Sequence, residues 1–444
     1  MATSIALKDP TEDQRRILTR WRISTFWVML VGYIGYYLCR GNLPVAVPLL
    51  SKQFGYTNTE LGIILSVSEL MYAVGKFTTG PFADRIGGKK VFMIGMVGAI
   101  VFNLIFPSLS SILAFTIVWS LCRYFLSMGW GGIIKTIGEW YEPEKNGTVM
   151  GLISINFQFG SVLVSIFCGA LIAWGVGWKG LFYYPAAIVS LLALWSFFAS
   201  KESPQDVFTG IRFGKNAGKK KALADFGKEK KEGFAHSLNI LKTLFKVPMF
   251  RQLLVFSFVI HILRSIFLFW TPKFLVDLGQ GDVKAAMTSA VFPLLGCIGT
   301  ILLGWYTDRF VKNGDRTRIM SWMLFGLFLS LLATAVLIPM GLKHEVGIIV
   351  LLGLSGFFLY GPYSMSAGAL SLDIAGAEGA GTCTGMIDGV GYIGGAVAAW
   401  GAGIMSDHFG GWSQVFVVLA FTGLFTALWT FYMSWHFRKG KSKS

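Results

Sequence analysis

Twelve apolar runs of about 20 residues or more recur along the chain, at roughly 24–48, 59–81, 90–109, 111–134, 147–174, 178–199, 250–274, 285–306, 317–340, 345–369, 380–406 and 411–436. About 20 apolar residues in a helix cross the hydrocarbon core of a bilayer, and lipid offers nothing to satisfy an open backbone, so each run is predicted to be a transmembrane helix. The composition agrees, with 54% hydrophobic and 14% charged residues and a mean hydropathy of +0.60. Soluble domains carry about 25% charged residues. The expected fold class is therefore an all-α membrane protein with 12 transmembrane helices.

Lys and Arg number 39 against 23 Asp and Glu, and their placement decides what that surplus does. One set of loops is basic: Arg15, Arg16, Arg20 and Arg22 before the first run, Arg85, Lys89 and Lys90 after the second, Arg309, Lys312, Arg316 and Arg318 after the eighth, and Arg438, Lys439, Lys441 and Lys443 in the tail. The positive-inside rule puts that set, and both termini, in the cytoplasm. The surplus orients loops and is not expected to bind nucleic acid. Met1 to Arg22 carries both signs of charge and lacks a short apolar region ending in a cleavage site, so no removable leader is expected. The five cysteines all lie within apolar runs at unrelated spacings, which predicts neither disulfides nor a metal site. The one long polar stretch, 200–249, contains Lys219 to Lys221 and Lys228 to Glu232 and reads as a solvated linker between two six-helix halves. The expected organisation is 1–23 as a cytoplasmic N-terminus, 24–199 and 250–436 as two six-helix bundles with pseudo-two-fold symmetry, 200–249 as the cytoplasmic linker, and 437–444 as a basic cytoplasmic tail.

A repeat relates the halves. Arg40, within the first run, and Arg264, within the seventh, are 224 residues apart, and so are Asp84 and Asp308 of the pattern Gly-x-x-x-Asp-Arg. Asp84, Arg85, Asp308 and Arg309 are therefore expected in matching gating loops. An arginine at mid-membrane depth costs about 2.5–3.5 kcal/mol on insertion scales, which makes Arg40 and Arg264 functional candidates. Guanidinium offers a permanently charged planar fork that meets phosphate oxygens in pairs, so one arginine from each half is expected to clasp a phosphoryl group. Lys76 adds a possible secondary ligand or a switch that changes partners. Glu69, seven residues before Lys76, is expected to neutralise Arg123. His261 shares a helix face with Arg264, and Asp388 is expected either to contact sugar hydroxyls or to pair with Lys76 or Arg264.

The sequence resembles the organophosphate:phosphate antiporters of the major facilitator superfamily. The resemblance covers nearly the whole chain and rests on YYLCRGN at 36–42, YAVGKF at 72–77 with ADR at 83–85, SMGWGG at 127–132, HILRSIFLFW at 261–270, YGP at 360–362 and GYIGG at 391–395. It implies exchange of inorganic phosphate for a phosphorylated metabolite, with Arg40 and Arg264 on the phosphoryl group and Tyr36, Lys76, Trp130, Tyr360 and Tyr392 at cavity positions. Bacterial glycerol-phosphate and hexose-phosphate members carry a histidine next to an asparagine where this chain has Phe157 and Gln158. Asn156 and Gln158 are then expected to offer neutral amides to a ligand or to bond between helices. The pattern Ile387-Asp388-Gly389 resembles sugar-phosphate members and favours a hexose phosphate such as glucose 6-phosphate over glycerol 3-phosphate or phosphoglycerate. The expectation is a monomeric transporter in a bacterial inner membrane, its ligands organic and inorganic phosphate and its surroundings the lipid bilayer, with no cofactor, no metal and no catalytic residues. The alternatives are a proton-coupled symporter using Asp388 or Glu69 and a membrane sensor of sugar phosphate. An enzyme is the least expected reading, since the sequence shows no nucleophile elbow, metal-ligand spacing or phosphate-cradling glycine loop that suits this topology.

Overall fold

The computed structural model describes residues 8–142, 149–150, 152–154, 156–214, 242–311, 315–367 and 369–441. The N-terminal half consists of α1 (Glu12–Leu38), α2 (Asn42–Phe54), α3 (Asn58–Ile86), α4 (Gly88–Ile105), α5 (Ile112–Leu126), α6 (Met128–Trp140), α7 (Asn156–Ala173) and α8 (Gly180–Ala199). The C-terminal half consists of α9 (Pro248–Asp277), α10 (Asp282–Thr288), α11 (Val291–Phe310), α12 (Thr317–Leu337), α13 (Glu345–Ala367), α14 (Ala369–His408) and α15 (Gly411–Lys441). Among the described residues, 10 spans are long and apolar enough to cross a membrane. The predicted segments 24–48 and 380–406 are not among them, for reasons of composition. The first is rich in tyrosine and broken in two, and the second, within α14, is rich in glycine. Both still run the length of their bundles, so the architecture is two bundles of six spans each.

The break in the first span corrects the expectation of a continuous helix around Arg40. α1 stops at Leu38, the carbonyl of Tyr37 receives the N–H groups of both Arg40 and Gly41, and α2 begins at Asn42. Asn42 fixes the restart: its side chain accepts from Leu43 N–H and donates to Asn103 Oδ1 at 2.7 Å and to the Leu181 carbonyl at 3.0 Å. Gly41 is required by close approach, since a Cβ there would lie 2.5 Å from Val164 of α7. Arg264, the repeat partner, lies inside the uninterrupted 30-residue α9, 16 residues from its start. At 1.5 Å per residue that is about 24 Å along a helix about 45 Å long. The two arginines of the repeat therefore differ in backbone conformation.

The Gly-x-x-x-Asp-Arg patterns form no loops. They are the last turns of α3 and α11, where Arg85 and Arg309 are exposed beside the negative ends of the helix dipoles. The side chains of Asp84 and Asp308 lie outside the described residues. The linker also departs from expectation at its start. Residues 200–214 fold back on the N-terminal half, where Ile211 and Phe213 bury against Leu18 and Trp140, and Ile211 pairs with Lys8 in a short parallel bridge. Residues 215–241, which include the lysine runs, lie outside the described set.

Two seams join the halves. α3 packs along α14 on one side, and α7 packs against α10 and α11 on the other, with α2 crossing α9 between them. The ends of these helices farthest from the termini are fastened by polar contacts. Asp407 at the end of α14 accepts from Thr59 N–H at 2.6 Å, Thr59 Oγ1 at 2.7 Å and Asn58 N–H at 3.3 Å. The carboxylate thus caps the N-terminus of α3 from the other half. Lys52 of α2 meets Asp282 of α10 at 2.7 Å across the second seam. Gly403 lets the backbones approach, since a Cβ there would lie 2.4 Å from the Asn58 carbonyl oxygen.

Candidate functional site

At the α3–α14 seam, tyrosines tie cations from both halves together. The Arg40 guanidinium lies 4.6 Å from the Tyr72 ring centroid, 5.5 Å from that of Tyr37 and 5.9 Å from that of Tyr392, and its Nη1 donates to the Tyr72 hydroxyl at 3.2 Å. The Arg264 guanidinium lies 4.6 Å from the Tyr363 ring and 5.9 Å from that of Tyr360. The two clusters meet through His261, whose ring is 5.1 Å from Tyr363 and 5.3 Å from Tyr392. Tyr392 in turn sits 4.5 Å from Tyr72 of the other half. These contacts bring Arg40, Lys76, His261, Arg264, Tyr360, Asp388 and Tyr392 to one region.

The charges there are matched unequally. Glu69 pairs with Arg123, both fully buried, and Lys76 Nζ lies 3.8 Å from Asp388 across the α3–α14 seam. Among the described residues neither Arg40 nor Arg264 has a carboxylate within salt-bridge distance. Arg40 Nη2 and Arg264 Nε and Nη1 are buried without acceptors. Buried donors without acceptors cost about 1–3 kcal/mol each, so these guanidinium groups are chemically suited to an anionic acceptor. His261 Nδ1 lies 2.8 Å from the Ser257 carbonyl oxygen, which assigns the proton to Nδ1 and leaves the buried Nε2 as an acceptor.

Other expected residues sit elsewhere. Tyr36 turns away from Arg40 into the N-terminal bundle, where its hydroxyl donates to the Phe92 carbonyl and its ring packs on Gly129. It is Tyr37, one residue on and 100° around the helix, that faces Arg40. Asn156 donates to the Leu30 carbonyl at 3.0 Å, and Gln158 Nε2 donates to Thr300 Oγ1 at 2.7 Å. Both amides therefore bond between helices, Gln158 bridging the halves. Trp130 is half-buried against Tyr33, one turn from Tyr37. Arg85 and Arg309 stand at exposed helix ends away from the site. Sequence reasoning missed Tyr37, Tyr72 and Tyr363, although each has a signal: three residues before Arg40, four before Lys76 and three after Tyr360, all helical spacings that share a face.

Residues 29–399 match the family model described as Major Facilitator Superfamily. The chain is similar to a probable hexose phosphate transport protein of Chlamydia pneumoniae, 27% identical over 92% of this chain and 90% of the relative. It is similar to a glycerol-3-phosphate transporter of Bacillus subtilis, 29% identical over 90% and 89%, and to the membrane sensor protein UhpC of Escherichia coli, 24% identical over 92% and 91%. Among solved structures it resembles an inward-facing bacterial homolog of the lysosomal transporter Spinster, with a TM-score of 0.76 at 15% identity over 94% of this chain and 98% of the other. That last likeness concerns the fold.

Proposed function

Because the chain belongs to the major facilitator superfamily, we propose that it carries a phosphorylated small metabolite, a hexose phosphate such as glucose 6-phosphate, across the membrane in exchange for inorganic phosphate. The observation that carries the reading is the unequal matching of charge. Four cations surround the site and two carboxylates neutralise two of them, which leaves Arg40 and Arg264, one per half, for a single dianion. The neighbouring His261 Nε2 and the tyrosine hydroxyls suit the hydroxyls of a sugar. Hexose-phosphate and glycerol-3-phosphate transport by the relatives supports the class.

The exchange follows from electrostatics. With no ligand, two guanidinium groups repel one another where the dielectric is low, and that repulsion opposes closure of the halves around them. A dianion cancels it, so the halves rock only when loaded, with phosphate in one direction and its ester in the other. The protein acts as a monomer with both termini in the cytoplasm, and the membrane is the inner membrane of a bacterium. The second reading, transport of glycerol 3-phosphate, is favoured by the Bacillus relative.

The test is reconstitution in liposomes loaded with inorganic phosphate, with labelled phosphate uptake competed by glucose 6-phosphate, glycerol 3-phosphate and phosphoglycerate. Glucose 6-phosphate is expected to compete best. Uptake that ignores all three, or that a pH gradient drives without internal phosphate, refutes the proposal.

A further inference from the structure

Arg123 of α5 stands behind the site. Its guanidinium lies 4.4 Å from the Tyr72 ring centroid, and that of Arg40 lies 4.6 Å from the same centroid. The two charges are therefore at most about 9 Å apart across one aromatic ring. Glu69, Tyr72 and Lys76 follow one face of α3 at helical spacing. Glu69 holds Arg123 through one nitrogen, Nη2, while Arg123 Nε and Nη1 and Glu69 Oε1 are buried without partners. A pair evolved only to join α3 to α5 gains most when every buried donor and acceptor is satisfied. This one leaves a guanidinium with donors to spare within about 9 Å of Arg40, behind the Tyr72 ring.

We propose that Glu69 sets the valence of the site: by holding Arg123, it withdraws a third guanidinium from competition for the ligand and so favours phosphate monoesters with two charges over those with three. The inference rests on the reading that Arg40 and Arg264 bind a phosphoryl group. Glu69 touches no ligand in this account and is a positioning residue. Without its carboxylate, Arg123 is an uncompensated cation next to Arg40. It attracts an additional carboxylate on the ligand and holds the loaded protein more tightly, which lowers KM and slows turnover together.

The experiment uses proteoliposomes of the full chain and measures labelled phosphate exchange with competition by glucose 6-phosphate, which carries two charges, and 3-phosphoglycerate, which carries three. Glu69→Gln is expected to shift the ratio of the two inhibition constants at least tenfold toward 3-phosphoglycerate, with KM for phosphate and the maximal rate both falling. The double variant Glu69→Gln/Arg123→Gln, which restores charge balance, is expected to return the ratio to within threefold of wild type. A purely structural pair predicts the opposite order, with the double variant no better than the single. Should Glu69→Gln fail to fold, Arg123→Gln leaves Glu69 as the unmatched charge and is expected to shift the ratio away from 3-phosphoglycerate. An unchanged ratio in a folded, transporting Glu69→Gln or Arg123→Gln variant overturns the inference and leaves the phosphate reading intact. A wild-type protein that exchanges neither ester nor phosphate overturns both.

Discussion

Arg264→Lys keeps the positive charge of the site and removes its geometry, which makes it the sharpest perturbation available. Arg264 is only 2% exposed, it stacks 4.6 Å from the Tyr363 ring, and two of its three nitrogens have no acceptor. Lysine carries three donors on a flexible stem in place of a planar fork of five. It retains the attraction to an anion and to the tyrosine face but cannot present paired donors to two phosphoryl oxygens. A hydrogen bond to a charged group contributes about 1.5–3 kcal/mol, and about 1.4 kcal/mol is tenfold in affinity, so one lost bond weakens phosphate binding about 10- to 150-fold. The assay is equilibrium binding of labelled phosphate to purified protein, with exchange in liposomes alongside and thermal melting as the check on folding. Arg309→Lys, at an exposed helix end, is the control and is expected to bind as wild type does. A folded Arg264→Lys protein that binds phosphate within twofold of wild type refutes the reasoning, because charge alone would then account for the affinity.

Three further outcomes are expected. Asp407→Asn removes the carboxylate that caps α3 from the opposite half; it is expected to weaken closure of that end by about 1.5–3 kcal/mol and to raise the labelling rate of a cysteine placed at Ala399, and unchanged labelling counts against the latch. Gly41→Ala puts a Cβ 2.5 Å from Val164; it should cost about 1–3 kcal/mol, seen as a lower melting temperature that Val164→Ala restores, and a neutral Gly41→Ala argues against tight packing at the helix break. Burial raises the Glu202 carboxyl above its ordinary range, although the N–H groups of Gly88 and Lys89 oppose the shift. The folded protein therefore takes up this proton more readily than the unfolded chain, and the unfavourable contribution, fully present above the raised folded pKa, is relieved as the pH falls through it. Wild type should gain melting temperature relative to Glu202→Gln as the pH falls from 7.5 toward the ordinary carboxyl value of 4.5, and parallel curves would refute that assignment.

The parts of this protein visible in its sequence are those set by the bilayer. Apolar length, loop charge and the 224-residue repeat depend on lipid and on duplication, and they place the spans and the two arginines without knowledge of any contact. The Glu69–Arg123 pair was legible for a related reason, because a charge in hydrocarbon needs an opposite charge nearby. Rotational detail was less legible. One residue of helix register sends Tyr36 into the bundle and Tyr37 toward Arg40, and the break at Gly41 depends on Val164 and Asn103, which lie far along the chain. Gln158 could not be assigned from α7 alone, since its partner Thr300 belongs to the other half. Asp407 carried no signal, because an aspartate at a helix end reads as ordinary solvation until the N-terminus it caps is brought to it.

The same two helices hold both the Lys76–Asp388 pair and the latch, and in the proposed cycle this bears on how loading is coupled to movement. α3 carries Thr59 at its far end and Lys76 at the site, while α14 carries Asp407 at its far end and Asp388 at the site. Along each helix the two positions are separated by 17 and 19 residues, about 26 and 28 Å at 1.5 Å per residue. In the proposed cycle an anion between Arg40 and Arg264 competes with Asp388 for Lys76, and at 3.8 Å that pair is the looser of the two that neutralise cations at the site. Drawing Lys76 away removes a contact between α3 and α14 at one point of a seam whose other end is fastened by Asp407. In that cycle helices stiff over this length carry a change at the site to the latch as rotation about the seam. When the anion leaves on the far side, the repulsion between Arg40 and Arg264 returns. In the proposed cycle that repulsion is why an empty protein does not cross and a second anion is required for the passage back.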